Sequence, residues 1–331
     1  MQLNFNLELT MELDSERFYK LLKKFLGAEE YETPPDYGKY TDSSLVEKGL
    51  FIMYFNEQYR KKIKIIVNSD LILKDEEPNK DNAFDVVRKL EKRIEKYFKS
   101  KFRLNHFKLT GVIITKDIDV SSRDTVSDYI QVLRRIGRVK GFSPAKDNEY
   151  DDNLGFRLKG ISNNIEFVIF DLERVVKELL EDEDSKRKHL KSELKNSKGK
   201  LRIELRLTKP KTVKNLTKQD LTYGQVGSLF QKGEKIFENI LSKIIPFGHF
   251  YKKDEAVQLI WNEVKDKPIR RRMLYLLDLI PEKKSLHLAQ KKMNSRRMDD
   301  IMEKFEEIEL SPITISKRHD VKYLENLYSY F

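Results

Sequence analysis

An α+β fold is what this sequence predicts: a mainly antiparallel sheet with packed helices over residues 1–212, followed by an all-helical domain over 213–331. Three observations carry that reading. Several short segments alternate apolar and polar residues, the period-two mark of a strand with one buried face. Longer stretches between them place apolar residues three and four apart, the mark of an amphipathic helix. After Thr212 the alternation stops and helical spacing takes over.

In chain order, Gln2 to Thr10 alternates as Leu3, Phe5, Leu7 and Leu9, and a helix follows from about Asp14 to Leu26. Tyr31 to Ser44, with Pro34, Pro35 and Gly38, reads as a loop. Gly49 to Phe55 and Lys61 to Val67 are two strands joined by Asn56-Glu57-Gln58-Tyr59, a hairpin. Asp81 to Lys99 carries Phe84, Val87, Leu90, Ile94 and Phe98 at helical spacing. The order then repeats in outline. His106 to Val120 is a long strand, and Asp124 to Ile136 a helix with Ser121 or Ser122 as its cap. Gly155 to Lys159 and Ile165 to Phe170 are strands around Ser162-Asn163-Asn164. Asp171 to about His189 is a charged helix, and Leu201 to Leu207 the last strand.

Beyond Thr212, helices are expected over Tyr223 to Ile245, Asp254 to Val264 and Pro268 to Ile280, with Pro281 opening the next one. Lys284 to Met293 and Arg296 to Ile308 are two short helices around Asn294-Ser295. That spacing permits a helix-turn-helix, with Arg296 and Arg297 opening the groove-reading helix. An ordinary helical hairpin is the plainer reading, because Met298, Ile301, Met302 and Phe305 make a simple buried face.

Lys and Arg number 65 against 54 Asp and Glu in 331 residues, a formal net charge of +11. Such an excess favours polyanions through counterion release. Nucleic acid is favoured over an anionic membrane, because no run of about 18 apolar residues is present. The first residues hold no basic region and no long apolar run, so no secretory signal is expected. There is no cysteine, and the five histidines are scattered. Any metal must therefore be held mainly by oxygen, which points to magnesium or manganese rather than zinc.

The richest segment is Leu201-Arg202-Ile203-Glu204-Leu205-Arg206-Leu207, followed by Thr208-Lys209-Pro210-Lys211. On a strand the leucines and Ile203 share one face, and Arg202, Glu204 and Arg206 stand in a row on the other. A cross-strand ion-pair ladder is one reading. The other is a phosphodiester site, in which Arg202 and Arg206 clamp phosphate and Glu204 holds a divalent metal. Asp117 and Asp119, two apart on another strand, are the candidate further metal ligands.

Taken in order, these pieces resemble a known family. The run Phe107-Lys108-Leu109-Thr110-Gly111-Val112-Ile113, the helix with Tyr129-Ile130-Gln131-Val132-Leu133, the strand Glu166-Phe167-Val168-Ile169-Phe170-Asp171-Leu172-Glu173 and the strand Leu201 to Arg206 are similar to filamentous-phage gene II-type and plasmid rolling-circle replication initiators over about residues 100 to 216. The resemblance implies a protein of a bacterial host's cytoplasm that nicks one strand at an origin and holds the 5′ phosphate on a tyrosine. It implies origin DNA as partner, single-stranded or hairpin, with host helicase and polymerase. It places Arg202 and Glu204 beside the scissile phosphate, with Arg206 helping to balance transition-state charge. The family's nucleophilic tyrosine falls at Phe170, and its Arg-hydrophobe-Asp strand at Gly111-Val112-Ile113, where no acid stands. Three readings stay open: the nucleophile has moved to Tyr129, Tyr150 or Tyr223, a metal-activated water replaces it, or catalysis is lost and DNA binding kept. Lys209, Lys211, Arg270, Arg271, Arg272, Arg296 and Arg297 are the expected DNA contacts.

Overall fold

Alternating segments become strands that hydrogen-bond in the order β2-β3-β4-β1-β5-β9-β8-β7-β6 in the computed structural model, which describes residues 3–26, 36–73, 81–99, 102–145, 154–162, 164–181 and 188–331. In chain order these and their helices are β1 (Asn4–Leu13), α1 (Ser15–Leu26), β2 (Gly38–Asp42), β3 (Leu50–Asn56), β4 (Lys61–Asn68), α2 (Ser69–Leu73), α3 (Ala83–Tyr97) and β5 (Lys108–Asp119). Then come α4 (Arg123–Arg134), β6 (Phe142–Pro144), β7 (Gly155–Gly160), β8 (Ile165–Asp171), α5 (Leu172–Glu181), α6 (Lys188–Ser197), β9 (Lys200–Leu207) and α7 (Pro210–Thr217). The remainder is α8 (Thr222–Ile244), β10 (Phe250–Tyr251), α9 (Lys253–Glu263), α10 (Lys267–Lys283), α11 (Leu286–Met293), α12 (Met298–Glu307) and β11 (Tyr323–Leu324). This is an α+β fold on a large, mainly antiparallel sheet. No described helix is long and apolar enough to cross a membrane.

The chain divides into two compact units, each of two segments: Met1–Lys116 with Leu205–Ile236, and Asp117–Glu204 with Phe237–Phe331. The break expected at residue 212 falls inside α7, in the first unit. The C-terminal helices belong to the second unit through specific bonds. The Leu286 amide donates to the Ile136 carbonyl at 2.9 Å, the Ser285 hydroxyl to the Arg138 carbonyl at 2.9 Å, and the Tyr129 hydroxyl to the Glu325 carbonyl at 2.7 Å.

In the first unit, β1 leaves every second residue from Asn4 to Thr10 half-buried, and Phe5, Leu7 and Leu9 are buried on the other side. Helices α8, α1 and α3 pack on this apolar face. Phe230 meets Phe5 edge-on at 5.1 Å, Phe25 stacks on Tyr54 at 5.4 Å, and the Tyr97 and Tyr54 hydroxyls are 3.2 Å apart. Gly233 permits the approach of α8, since a Cβ there would come within 2.5 Å of the Phe5 ring. In the second unit the apolar side of β8 and β9, with Phe167, Ile169, Leu201 and Ile203, is likewise buried, and α4 contributes Val126, Ile130 and Leu133. Ser122 caps α4, its hydroxyl accepting from the Thr125 amide at 3.1 Å.

Several elements depart from the sequence reading. β2 lies within the expected loop of residues 31–44, whose positions up to 35 are outside the described residues, as is Asn163 of the expected turn. α2, β6 and α7 are additional, and of the charged helix expected from Asp171 to about His189 the structure describes α5 and the start of α6, residues 182–187 lying outside the described residues. The C-terminal region is not purely helical, because β10 and β11 pair antiparallel. Pro281 does not open a helix. It lies in the last turn of α10, where it forgoes the bond to the Leu277 carbonyl four residues back, and Lys284 ends that helix with φ 49°.

Candidate functional site

On β9 the alternation stands as expected: Leu201, Ile203, Leu205 and Leu207 are buried on one side, and Arg202, Glu204 and Arg206 lie on the other. Arg202 does not stand free for phosphate. Its Nε and a terminal nitrogen donate to the two carboxylate oxygens of Asp117 on β5 at 2.6 and 2.8 Å, a fork-on-fork pair. A second carboxylate comes from above the sheet, where Glu193 of α6 accepts from Arg202 at 3.3 Å. Glu204, buried, adds its charge to the same guanidinium. Burial works against the charged form of Arg202, but the Asp117 hydrogen bonds and the three negative neighbours outweigh it and hold the guanidinium charged above its ordinary range. The result is a cross-strand ion pair with a helix added over it.

The same alternation places Phe170 of β8 on this side. Phe170, Val168, Leu172 and Val176 form a buried apolar cluster, packed by Val175, Leu180 and Leu194 from α5 and α6. Farther along, Arg157 of β7 pairs with Glu166 of β8 at 3.2 Å. The position that the family resemblance assigns to the nucleophile is therefore a packed phenyl ring. Asp171, which follows it, caps α5 by accepting from the Arg174 amide at 3.2 Å, and burial raises its pKa.

The oxygen site expected for magnesium or manganese at Asp117, Asp119 and Glu204 is not assembled: among the described residues no three His, Asp or Glu side chains are grouped to hold a metal ion. Both Asp117 oxygens are engaged by Arg202, and Asp119 turns to the loop, accepting from the Ser121 amide at 2.9 Å. The residues present do not fit the ion.

The alternative tyrosines are placed otherwise. Tyr129 is buried on α4 with its hydroxyl on the Glu325 carbonyl, and burial, then the Tyr330 hydroxyl, raises its pKa. A neutral buried phenol spent on a carbonyl is a poor nucleophile. Tyr223 belongs to the first unit, its ring stacked on Phe84 at 6.2 Å. Tyr150 lies outside the described residues. Arg206, Lys209 and Lys211 fall in the first unit, the two lysines exposed around the start of α7.

Of the C-terminal cations, Arg270 lies over the Trp261 ring at 4.1 Å and reaches the Val264 carbonyl, Arg271 is exposed, and Arg272 is half-buried. Arg296 is exposed, and Arg297 precedes α12 rather than opening it, tied to Asp300 at 2.6 Å. α12 shows solvent Asp299, Asp300, Glu303, Glu306 and Glu307, whereas the helix before it, α11, shows Lys291 and Lys292. Phosphate would be repelled by the first surface and attracted by the second.

Glu193 is the site residue that sequence reasoning missed. It lies in a lysine-rich helix with no local motif, and only the fold brings it over β9.

No protein-family model matches the chain, and no curated protein matches it. Among solved structures, a rolling circle replication initiator protein from Geobacillus stearothermophilus is similar at TM-score 0.34 and 12% identity, over 73% of this chain and 85% of that one. A likeness of that size carries no functional weight.

Proposed function

We propose that this chain is a replication-initiator-type protein that binds DNA and does not cut it. The observation that carries the reading is the state of the face where cutting would occur. Strand transfer needs an oxygen nucleophile and a charge partner free to meet the phosphate. Phe170 supplies no oxygen, and Arg202 already has its charge matched by Asp117, which takes its fork, and by Glu193. A phosphate would have to compete with two carboxylates for that guanidinium. The net charge of +11 and the exposed lysines of α7 and α11 support binding through the phosphate backbone.

Incubating the full chain with supercoiled plasmid and with circular single-stranded DNA, with and without manganese, tests this. Retarded mobility with neither nicks nor covalent protein–DNA adducts is the expected result. A manganese-dependent nick or an adduct would overturn the non-cutting reading, and failure to bind either DNA would overturn the DNA-binding one.

A further inference from the structure

The short ribbon of β10 and β11 carries chemistry of a different kind. Phe250 and Leu324 pair opposite each other and are buried, so Tyr251 and Tyr323, the other opposed pair, stand on the outer face. His249, two residues before Tyr251, and Glu325, two residues beyond Tyr323, return to that face. The Tyr323 ring lies 5.1 Å from the Tyr251 ring at 58°, and 5.4 Å from the His249 ring at 55°. Glu309 stands beside His249, its carboxylate 3.9 Å from Nε2. Both glutamates are exposed, and the Glu325 carboxylate has no hydrogen bond or ion pair among the described residues. Burial, then Tyr251, Glu325, Tyr330 and Glu309, push the Tyr323 phenol up, so both carboxylates act at this ring. Asn326 fixes the arrangement. Its amide donates to His249 Nδ1 at 3.0 Å, and its side chain donates to the carbonyls of Pro246, at 3.0 Å, and Gly248.

We propose that this face binds an alkylated ammonium group, a compact cation such as trimethylammonium. A ring attracts a cation through its quadrupole out to about 6 Å from the centroid, and the Tyr251 and Tyr323 centroids are close enough for one ion to reach both. Rings tilted by 55–58° cannot all stack on one planar guanidinium, but they can wall a rounded ion. A bare ammonium carries N–H donors that rings do not satisfy, whereas a trimethylammonium has none to leave unpaired. Glu309 and Glu325 supply the opposite charge. The same two carboxylates repel phosphate, so the DNA backbone is not the ligand of this face.

Ligand-observed NMR on the full chain tests this, with choline as the probe. Its uncharged isostere, which has a tert-butyl group in place of trimethylammonium, is the control. No DNA is present, so the outcome is independent of the DNA-binding reading. Choline should bind more tightly than the isostere. Tyr323→Leu should weaken choline roughly two- to thirtyfold, the range for one ring's hold on a cation, whereas Tyr323→Phe keeps the ring and should bind as the wild type does. Glu325→Gln removes a charge that no other side chain uses, so it carries the test if the leucine variant does not fold. It should weaken choline and flatten the dependence on salt. A peptide with one trimethyl-lysine and phosphatidylcholine vesicles distinguish the sources: tighter binding of the peptide than of choline assigns the group to a protein, and tighter binding of vesicles assigns it to a lipid. No binding of choline, equal binding of the isostere, or unchanged affinity in the folded Tyr323→Leu and Glu325→Gln variants overturns the proposal. So does equal binding of the peptide with its lysine unmethylated, since any cation would then serve.

Discussion

The polar sheet face of the second unit is roofed, and that of the first is not. Phe170 is covered by α5 and α6 and Arg202 is met by Glu193 of α6, whereas Glu8, Lys64 and Phe55 remain half-exposed. The same period-two pattern therefore yields two materials. Under a roof, charges must find partners within the protein or cost several kcal/mol each, and Arg202 finds Asp117 and Glu193. In the open, water screens Lys64 and Glu8, and the groups stay available to a ligand. The carboxylate brought by α6, more than residue type, is what sets Arg202 apart from Lys64.

The largest expected effect of this difference follows Arg202→Ala. Arg202 and Asp117 side chains retain 20% and 24% of their exposure, and removal of the guanidinium leaves Asp117 and Glu193 facing each other unpaired. A loss of about 3 kcal/mol is expected, the low end for a broken buried pair, measured by urea denaturation. A loss under about 1 kcal/mol would put this pair in the class of surface pairs and erase the contrast between the faces. Next in size is Phe170→Tyr, which puts a tyrosine where the sequence resemblance would place the nucleophile. The hydroxyl enters a cluster of Val168, Leu172 and Val176, where an unpaired hydroxyl costs about 1–3 kcal/mol. The variant should melt lower and still form no adduct with DNA. An adduct would mean the roof opens and the site is latent.

Much of this contrast was legible in the sequence, but only one strand at a time. Alternation identified the apolar row of β1 and both rows of β9, and Ser122 was readable as one of two candidate caps. β2 was not, because Gly38-Lys39-Tyr40-Thr41-Asp42 buries little of itself at the sheet edge and sits beside prolines that signal a loop. Asp117 was readable as a candidate ligand but not as the partner of Arg202. Their pairing depends on register between strands 85 residues apart, and nothing local encodes it. The roof was least readable, since α6 is a polar, lysine-rich helix whose two decisive residues, Glu193 and Leu194, adjoin without a motif.

Two buried aspartates sharpen the comparison by sign. Asp42 in the first unit is raised by burial, but hydrogen bonds from Ser44 and Tyr97 outweigh this and leave its pKa below the ordinary 3.8. Its contribution is present above pH 3.8 and is lost as pH falls through the folded value. Asp171 in the second unit is raised above 3.8, chiefly by burial. Its penalty is absent below pH 3.8 and complete once pH exceeds the raised folded value, so its term falls as pH rises through that window. Asp171→Asn, which keeps a capping oxygen, should therefore stabilise at neutral pH relative to acid, and Asp42→Asn should do the reverse. Stability measured from pH 3 to 7, about the range that spans ordinary carboxylate titration, checks both. Parallel pH profiles for the two variants would refute the assigned causes.

The smallest effect is expected where the comparison is sharpest, at Lys64→Ala. Lys64 and Glu8 meet at 2.8 Å with side chains 25% and 35% exposed. Water can replace the lysine at the Glu8 carboxylate, and the pair gives up side-chain freedom to form, so its net worth is about 0–1 kcal/mol. Urea denaturation should barely distinguish the variant, and raising the salt concentration should shrink the difference further, because exposed pairs are screened. Arg202→Ala should keep most of its effect in the same salt series, since α6 shields its partners. If salt erases both differences alike, both faces are open to solvent and the roof over β9 does not seal it. If it erases neither, the first unit's face is closed to solvent as well, and the contrast between the faces fails.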